Sequence, residues 1–136
     1  MKFIICDVDG TVAMRGDRDP YDFSRVNEDS LNVPITNLLK TQIEAGFGII
    51  FVSGREEYLR DETLLFLGRF METPITLFLR QNRDYRSDEI IKREMYETHI
   101  KDAYEIAFVL DDRDRTVAMW RKQLGLTTLQ VAEGDF

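Results

Sequence analysis

Four short apolar runs, each ending at a polar or turn-forming residue, constrain the fold of this chain more than any other feature. They are Phe3 to Cys6, Phe47 to Val52, Ile75 to Leu79 and Ile106 to Leu110, with a weaker candidate at Thr127 to Val131. Apolar runs of this length mark strands covered on both faces, as in a parallel sheet between two helical layers. The segments between them supply the helices. Pro34 suits the first turn of a helix capped near Asn32 or Val33 and closed by Gly46. Leu59, Thr63, Phe66 and Phe70 recur at helical spacing within 56–70, with Leu64 and Leu67 beside them. Pro74 then breaks the chain before the third strand. Ser87 caps a helix reaching about His99, and a last helix over 114–124 ends at Gly125. Residues 10–32 are polar, contain Gly16 and Pro20, and read as a long functional loop or flap. No repeat, linker or low-complexity tract interrupts this order. The expectation is a single doubly wound α/β domain over residues 1–136.

Composition excludes several chemistries. Cys6 is the only cysteine and His99 the only histidine, which rules out an intramolecular disulfide, a cysteine-rich zinc site and a two-histidine metal site. An arginine-bearing cysteine phosphatase loop is absent too, since Val12 occupies the region where the arginine would stand. No apolar run has the length of a membrane helix, and the N-terminal run lacks a cleavage region, so a cytoplasmic protein with no membrane partner is expected. The formal net charge of −7 gives no broad basic face for a long nucleic-acid track. A nucleic-acid substrate would be touched at its end.

Polar residues close three of the strands: Asp7 the first, Ser53 the second, Asp111 and Asp112 the fourth. Ligands of open α/β sheets bind beyond the carboxyl ends of the strands, so these side chains converge on one crevice. Asp7-Val8-Asp9-Gly10-Thr11 is the sharpest motif. An aspartate at a strand end can attack phosphorus, and a second carboxyl two residues on can protonate the leaving alkoxide and then activate water. Gly10 lets the backbone turn so that amides face phosphate oxygens. Asp111 and Asp112 repel each other unless a cation lies near, and Mg²⁺ is the hard, oxygen-seeking cation for such a pair. In Ser53-Gly54-Arg55 the hydroxyl and guanidinium suit phosphate oxygens, with Gly54 allowing close approach. Lys92 follows Asp88 by one helical turn, a spacing that sets up an ion pair and offers a lysine to offset the charge of Asp7 and phosphate. Arg18 in the flap, and Arg80, Arg83 and Arg86 before the Lys92 helix, are further phosphate candidates. Tyr21, Phe23 and Trp120 could stack on a base, although packing inside the protein is the plainer reading.

Taken in order, Asp7-x-Asp9-Gly10-Thr11, Ser53, Lys92 and Asp111-Asp112 resemble the four motifs of the haloacid dehalogenase superfamily of phosphohydrolases. The likeness narrows further. Asp17 to Asp22, Ser53 to Arg55, Asp88 to Lys92, Asp111 to Arg113, Met119 to Arg121 and Gln130 to Phe136 resemble the 3′-phosphatase domain of phage polynucleotide kinase-phosphatase. That resemblance implies a Rossmann-like three-layer sandwich with a central parallel sheet and a minimal cap. It also implies a Mg²⁺-dependent phosphatase that removes 3′-phosphates from DNA, RNA or nucleotide ends through an aspartyl-phosphate intermediate, in nucleic-acid repair. The alternative is a phosphatase of free (deoxy)nucleotides or of many phosphomonoesters. By position, Asp7 becomes nucleophile and metal ligand, and Asp9 acid/base and metal ligand through its carbonyl. Ser53 and Lys92 join the catalytic set. Thr11, Arg18, Gly54, Arg55, Asp88 and Arg113 fall on substrate or supporting positions, and Asp111 and Asp112 on the metal site. The phage enzyme has a second, kinase domain. This chain has no Gly-x₄-Gly-Lys-Ser/Thr loop, so no kinase domain and no 5′-kinase activity are expected in it. Met1 directly before the first strand favours a standalone start. The sequence sets no oligomeric state.

Overall fold

A computed structural model describes residues 1–136. Its centre is a five-stranded, wholly parallel sheet of β1 (Lys2–Cys6), β4 (Gly48–Glu56), β5 (Thr76–Arg80), β6 (Glu105–Asp111) and β7 (Thr128–Gln130), in the order β5-β4-β1-β6-β7. The order starts at β1, runs outward to β5, then returns to the other side of β1 for β6. The crevice outside the strand ends between β1 and β6 is therefore the switch point at which such sheets bind ligands.

Alternation along the strands assigns the helices to faces. Ile4 and Cys6 of β1 and Ile49 and Phe51 of β4 share one core with Leu39 of α1 (Val33–Glu44) and Phe66 and Leu67 of α2 (Arg60–Leu67). Ile5, Ile50, Val52 and Val109 point the other way. They pack on Ile91 and Met95 of α3 (Asp88–Met95) and on Met119 and Trp120, which follow α4 (Asp114–Ala118). The last turns after α3 and α4, Tyr96–Ile100 and Met119–Gln123, are π-helical. The chain thus forms the α/β sandwich expected from its apolar runs.

Two boundaries differ from that expectation. Strand β4 does not stop at Ser53 but continues through Gly54 and Arg55 to Glu56, with a register shift against β5 after Ser53. The helix then starts late, after a 3₁₀ turn at Glu57–Leu59. The apolar residues set the helical face, whereas hydrogen bonding to Arg80 of β5 keeps the preceding polar residues extended. The flap also holds regular structure. Its β2 (Ala13–Met14) and β3 (Ser30–Leu31) pair antiparallel, and a 3₁₀ segment covers Phe23–Glu28. This small excursion is the cap.

Gly48 pairs with Phe3, whose ring occupies the space that a side chain at 48 would fill. Gly48→Val should therefore destabilise the protein by about 1–3 kcal/mol in urea unfolding, despite valine's preference for strands.

Candidate functional site

Strand β1 delivers Asp7 to the crevice, and its amide donates to Leu110 O at 3.0 Å, which fixes the strand end against β6. Directly after it the chain folds over Val8, whose carbonyl accepts from the amides of Thr11, Val12 and Ala13. This turn needs Gly10, at φ +81°. A Cβ there would overlap the Asp112 carboxylate. Thr11 Oγ1 returns to donate to Asp7 Oδ2 at 3.0 Å.

Alternation places Asp7 on the same face as Ile5, the face covered by α3. There Lys92 Nζ, which is 1% exposed, donates to Asp7 Oδ1 at 2.8 Å and to Asp111 Oδ2 at 2.9 Å. Trp120 Nε1 holds the same Asp111 oxygen at 3.1 Å, and the Asp112 amide donates to Asp111 Oδ1 at 2.8 Å. Trp120 is wholly buried, so it supports a carboxylate and is no base-stacking surface. The spacing of Asp88 and Lys92 does not yield a contact between them. Asp88 instead pairs with Arg80 and lies 3.4 Å from Arg113, because the two carboxylates beneath the helix take the lysine. Asp88 acts on Lys92 only through charge. Burial works against the ammonium, but Asp111, Asp7 and then Asp88 outweigh it and raise its pKa.

The carboxylates of Asp7, Asp111 and Asp112 can each point one oxygen into a region 4.8 Å across, and all three residues are buried. One ammonium stands among three carboxyl groups, too little positive charge to balance all three when ionised. Burial, then the charge of Asp111, pushes Asp7 well above its ordinary value, and burial raises Asp112 as well. Oxygen donors, compact geometry and missing positive charge fit a hard divalent cation.

A second group forms on the opposite face of the sheet, where Ser53 and Arg55 follow Ile49 and Phe51. Ser53 Oγ accepts from the Arg55 amide at 3.1 Å, which leaves its own proton free to donate. Arg55 forks onto Asp9 at 2.9 and 2.7 Å and also reaches Thr63 Oγ1 and Asp29 Oδ2, both at 3.1 Å. Asp29 takes both arms of Arg18, at 2.9 and 3.0 Å, while Arg18 stands 3.7 Å from Asp9. Burial opposes the Arg55 charge, yet the hydrogen bonds and charge of Asp9, with Asp29 behind, leave its pKa raised. Arg18 and Arg55 thus already have protein partners, and an anion arriving here competes with Asp9 for them.

The remaining candidates have structural neighbours. Gly54 O accepts from Arg80 Nε at 2.6 Å, and a Cβ at 54 would stand 2.6 Å from Asp88 Oδ1. The Arg113 guanidinium lies 4.6 Å from the Phe136 ring centre. Asp29 and Thr63 escaped the sequence reading. Asp29 is one acid among several in a polar flap, and Thr63 sits at an apolar helical position, so neither carried a signal.

In the absence of a cation, the raised Asp7 and Asp112 values fix a sign. A carboxyl whose folded-state pKa lies above its unfolded value contributes stability at low pH that is lost as pH rises through the folded value. Chelator-treated protein should therefore become less stable from pH 5 upward, beyond the ordinary carboxylate range of about 4. Urea unfolding at a series of pH values should show this slope, and Asp7→Asn should flatten it.

Comparison with known proteins agrees with this geometry. Residues 1–136 match the family described as the polynucleotide kinase PNKP phosphatase domain. A relative from Autographa californica nuclear polyhedrosis virus, named as a bifunctional polynucleotide kinase/RNA ligase, is 31% identical over 123 residues, which are 88% of this chain and 18% of the relative. One chain in a structure of a Pnkp1/Rnl/Hen1 complex superimposes with a TM-score of 0.93 at 41% identity, over 99% of this chain and 47% of that one. A chain of the Pnkp1/Rnl/Hen1 RNA repair complex gives 0.90 at 40% identity, over 99% and 43%. The chain therefore spans less than half the length of these relatives. It belongs to the PNKP phosphatase domain family.

Proposed function

We propose that this family member is a Mg²⁺-dependent phosphomonoesterase that removes 3′-phosphates from nucleic-acid or nucleotide ends, with Asp7 as the nucleophile. The observation that carries the reading is the Asp7 carboxylate, fixed from one side by Lys92 and from the other by Thr11 at the switch point of the sheet. Binding alone would not require a buried carboxylate held in attacking position. Asp7, Asp111 and Asp112, with the Asp9 carbonyl, would hold Mg²⁺, which supplies positive charge to the phosphate oxygens.

Lys92 opposes the rise that burial and Asp111 impose on the Asp7 pKa, and adds positive charge near phosphorus. A phosphate dianion draws Arg55 and the free Ser53 proton towards its oxygens, which relaxes the grip of Arg55 on Asp9. Asp9, in its protonated form, serves as the general acid. An Asp7 oxygen then forms a bond to phosphorus as the bond to the 3′ oxygen breaks, and Asp9 gives its proton to that oxygen. The products are an alcohol and a phosphorylated Asp7. Asp9, now a base, takes a proton from water; the water oxygen attacks phosphorus, the bond to Asp7 breaks, and inorganic phosphate leaves. The net charge of −7 supports recognition of an end over a long backbone track.

Phosphate release should be measured on matched 3′- and 5′-phosphorylated oligonucleotides and mononucleotides, with and without Mg²⁺. The reading predicts strong preference for 3′-phosphate, loss of activity in EDTA, restoration by Mg²⁺ and poor replacement by Ca²⁺, whose looser coordination misplaces the attacking carboxylate. Equal rates on 3′ and 5′ ends would leave a general phosphatase. Asp7→Asn should abolish turnover in a folded protein. Arg55→Ala should lower kcat/KM by an order of magnitude or more, about 1.4 kcal/mol per tenfold.

A further inference from the structure

Two loops linked to Gly54, between Ser53 and Arg55, carry exposed tyrosines that neither the core nor the phosphate chemistry uses. Tyr58 follows β4 and is 58% exposed; Tyr85, in the loop after β5, is 81% exposed. Neither belongs to the hydrophobic cores. Both are nonetheless held firmly by their backbone. Arg80 Nη1 donates to the carbonyls on either side of Tyr85, Asp84 O at 2.8 Å and Arg86 O at 2.6 Å, while Arg80 Nε grips Gly54 O at 2.6 Å. One guanidinium thus fastens the tyrosine loop to the residue between Ser53 and Arg55. The Tyr58 amide donates to Asn82 Oδ1 at 2.9 Å, and the Arg83 amide donates to Glu56 Oε1 at 2.6 Å, so the two loops brace each other.

Arg83 differs from its neighbours. Arg86 pairs with Asp84 and Glu94, and Arg60 with Glu57, but Arg83 makes no ion pair and its side chain points to solvent from a left-handed backbone, φ +65°. A non-glycine residue kept in that conformation marks a loop whose shape is specified by something beyond local preference. Two exposed tyrosines and an unpaired arginine therefore lie on adjoining loops whose backbones brace each other, in a chain that otherwise carries excess negative charge.

We propose that Tyr58, Arg83 and Tyr85 form a stacking platform for single-stranded nucleic acid, receiving the bases of the few nucleotides adjoining the terminal phosphate. This inference rests on the 3′-end reading of the site and narrows its substrate to a strand rather than a free nucleotide. Exposed aromatic rings stack on any base face and need no sequence, while a lone arginine contacts one backbone phosphate. Pre-ordering the loops removes much of the entropy cost of forming these contacts. The patch is small, so contact ends within a few nucleotides.

The test has two arms. In the first, 5′-labelled octanucleotides without any phosphate at the 3′ end are titrated with magnesium-free protein and followed by anisotropy. Tyr58→Ala and Tyr85→Ala should each weaken binding about tenfold, with Tyr→Phe restoring it. Arg83→Ala should reduce the salt slope by about 0.7. An abasic strand should lose the tyrosine dependence and keep that on Arg83. In the second arm, Tyr58→Ala and Tyr85→Ala should raise KM for a 3′-phosphorylated octanucleotide and leave kcat/KM for a 3′-mononucleotide unchanged. Unaltered octanucleotide binding in both tyrosine variants overturns the platform, as does an equal loss on mononucleotides. Failure of the wild-type protein to hydrolyse any 3′-phosphate would overturn the reading of the active site, while the first arm still decides the platform.

Discussion

The buried ammonium of Lys92 is the contact on which the rest of the site depends. A charge taken out of water costs several kcal/mol unless it is closely paired, and here two carboxylates pair with it. The bonds join α3 to the ends of β1 and β6, which are neighbours in the sheet. They orient Asp7 and Asp111 and place positive charge beside the Asp7 carboxylate. Even so, the compensation is incomplete. Asp112 adds a third carboxylate, and burial first, then the charge of Asp111, raises the pKa of Asp7 and of Asp112. The protein thereby holds a site that is poor in positive charge.

Strand alternation divides the machinery between the two faces of one sheet. Asp7 and Asp111 face α3, with Lys92 between them. Ser53 and Arg55 face α2 and the flap, where Asp29 ties Arg55 to Arg18. Asp9 bridges the halves: its backbone follows β1, and its carboxylate lies with the arginines. Asp9 therefore answers to Arg55 and Arg18, while Asp7 answers to Lys92 and Thr11. The tyrosine loops adjoin the arginine side, so a strand crossing them would reach the crevice from that direction.

Much of this was legible in the sequence. The apolar runs marked the strands and their parallel arrangement, though not their order in the sheet, and Asp7, Asp111 and Asp112 lie at the ends of β1 and β6 beside the switch point. Cooperative details were not. The Asp88–Lys92 spacing suggested a pair, because helical periodicity says nothing about carboxylates under the helix. Strand β4 ran past Ser53, because its pairing with Arg80 is non-local. Asp29 could not be singled out, since its burial depends on two arginines distant in sequence. Tyr58 and Tyr85 became informative only when their exposure and their braced backbones were seen together.

Covalent phosphorylation of Asp7 is the central claim, and chemical trapping tests it most directly. Borohydride reduces an acyl phosphate to an alcohol, so quenching the enzyme during turnover should convert Asp7 to homoserine. A peptide map of the 1–15 segment would show it. The account predicts homoserine at position 7, dependent on substrate and Mg²⁺ and enriched in an Asp9→Asn protein that still forms the intermediate. Sustained turnover with residue 7 unmodified, or trapping at another carboxylate, would contradict it.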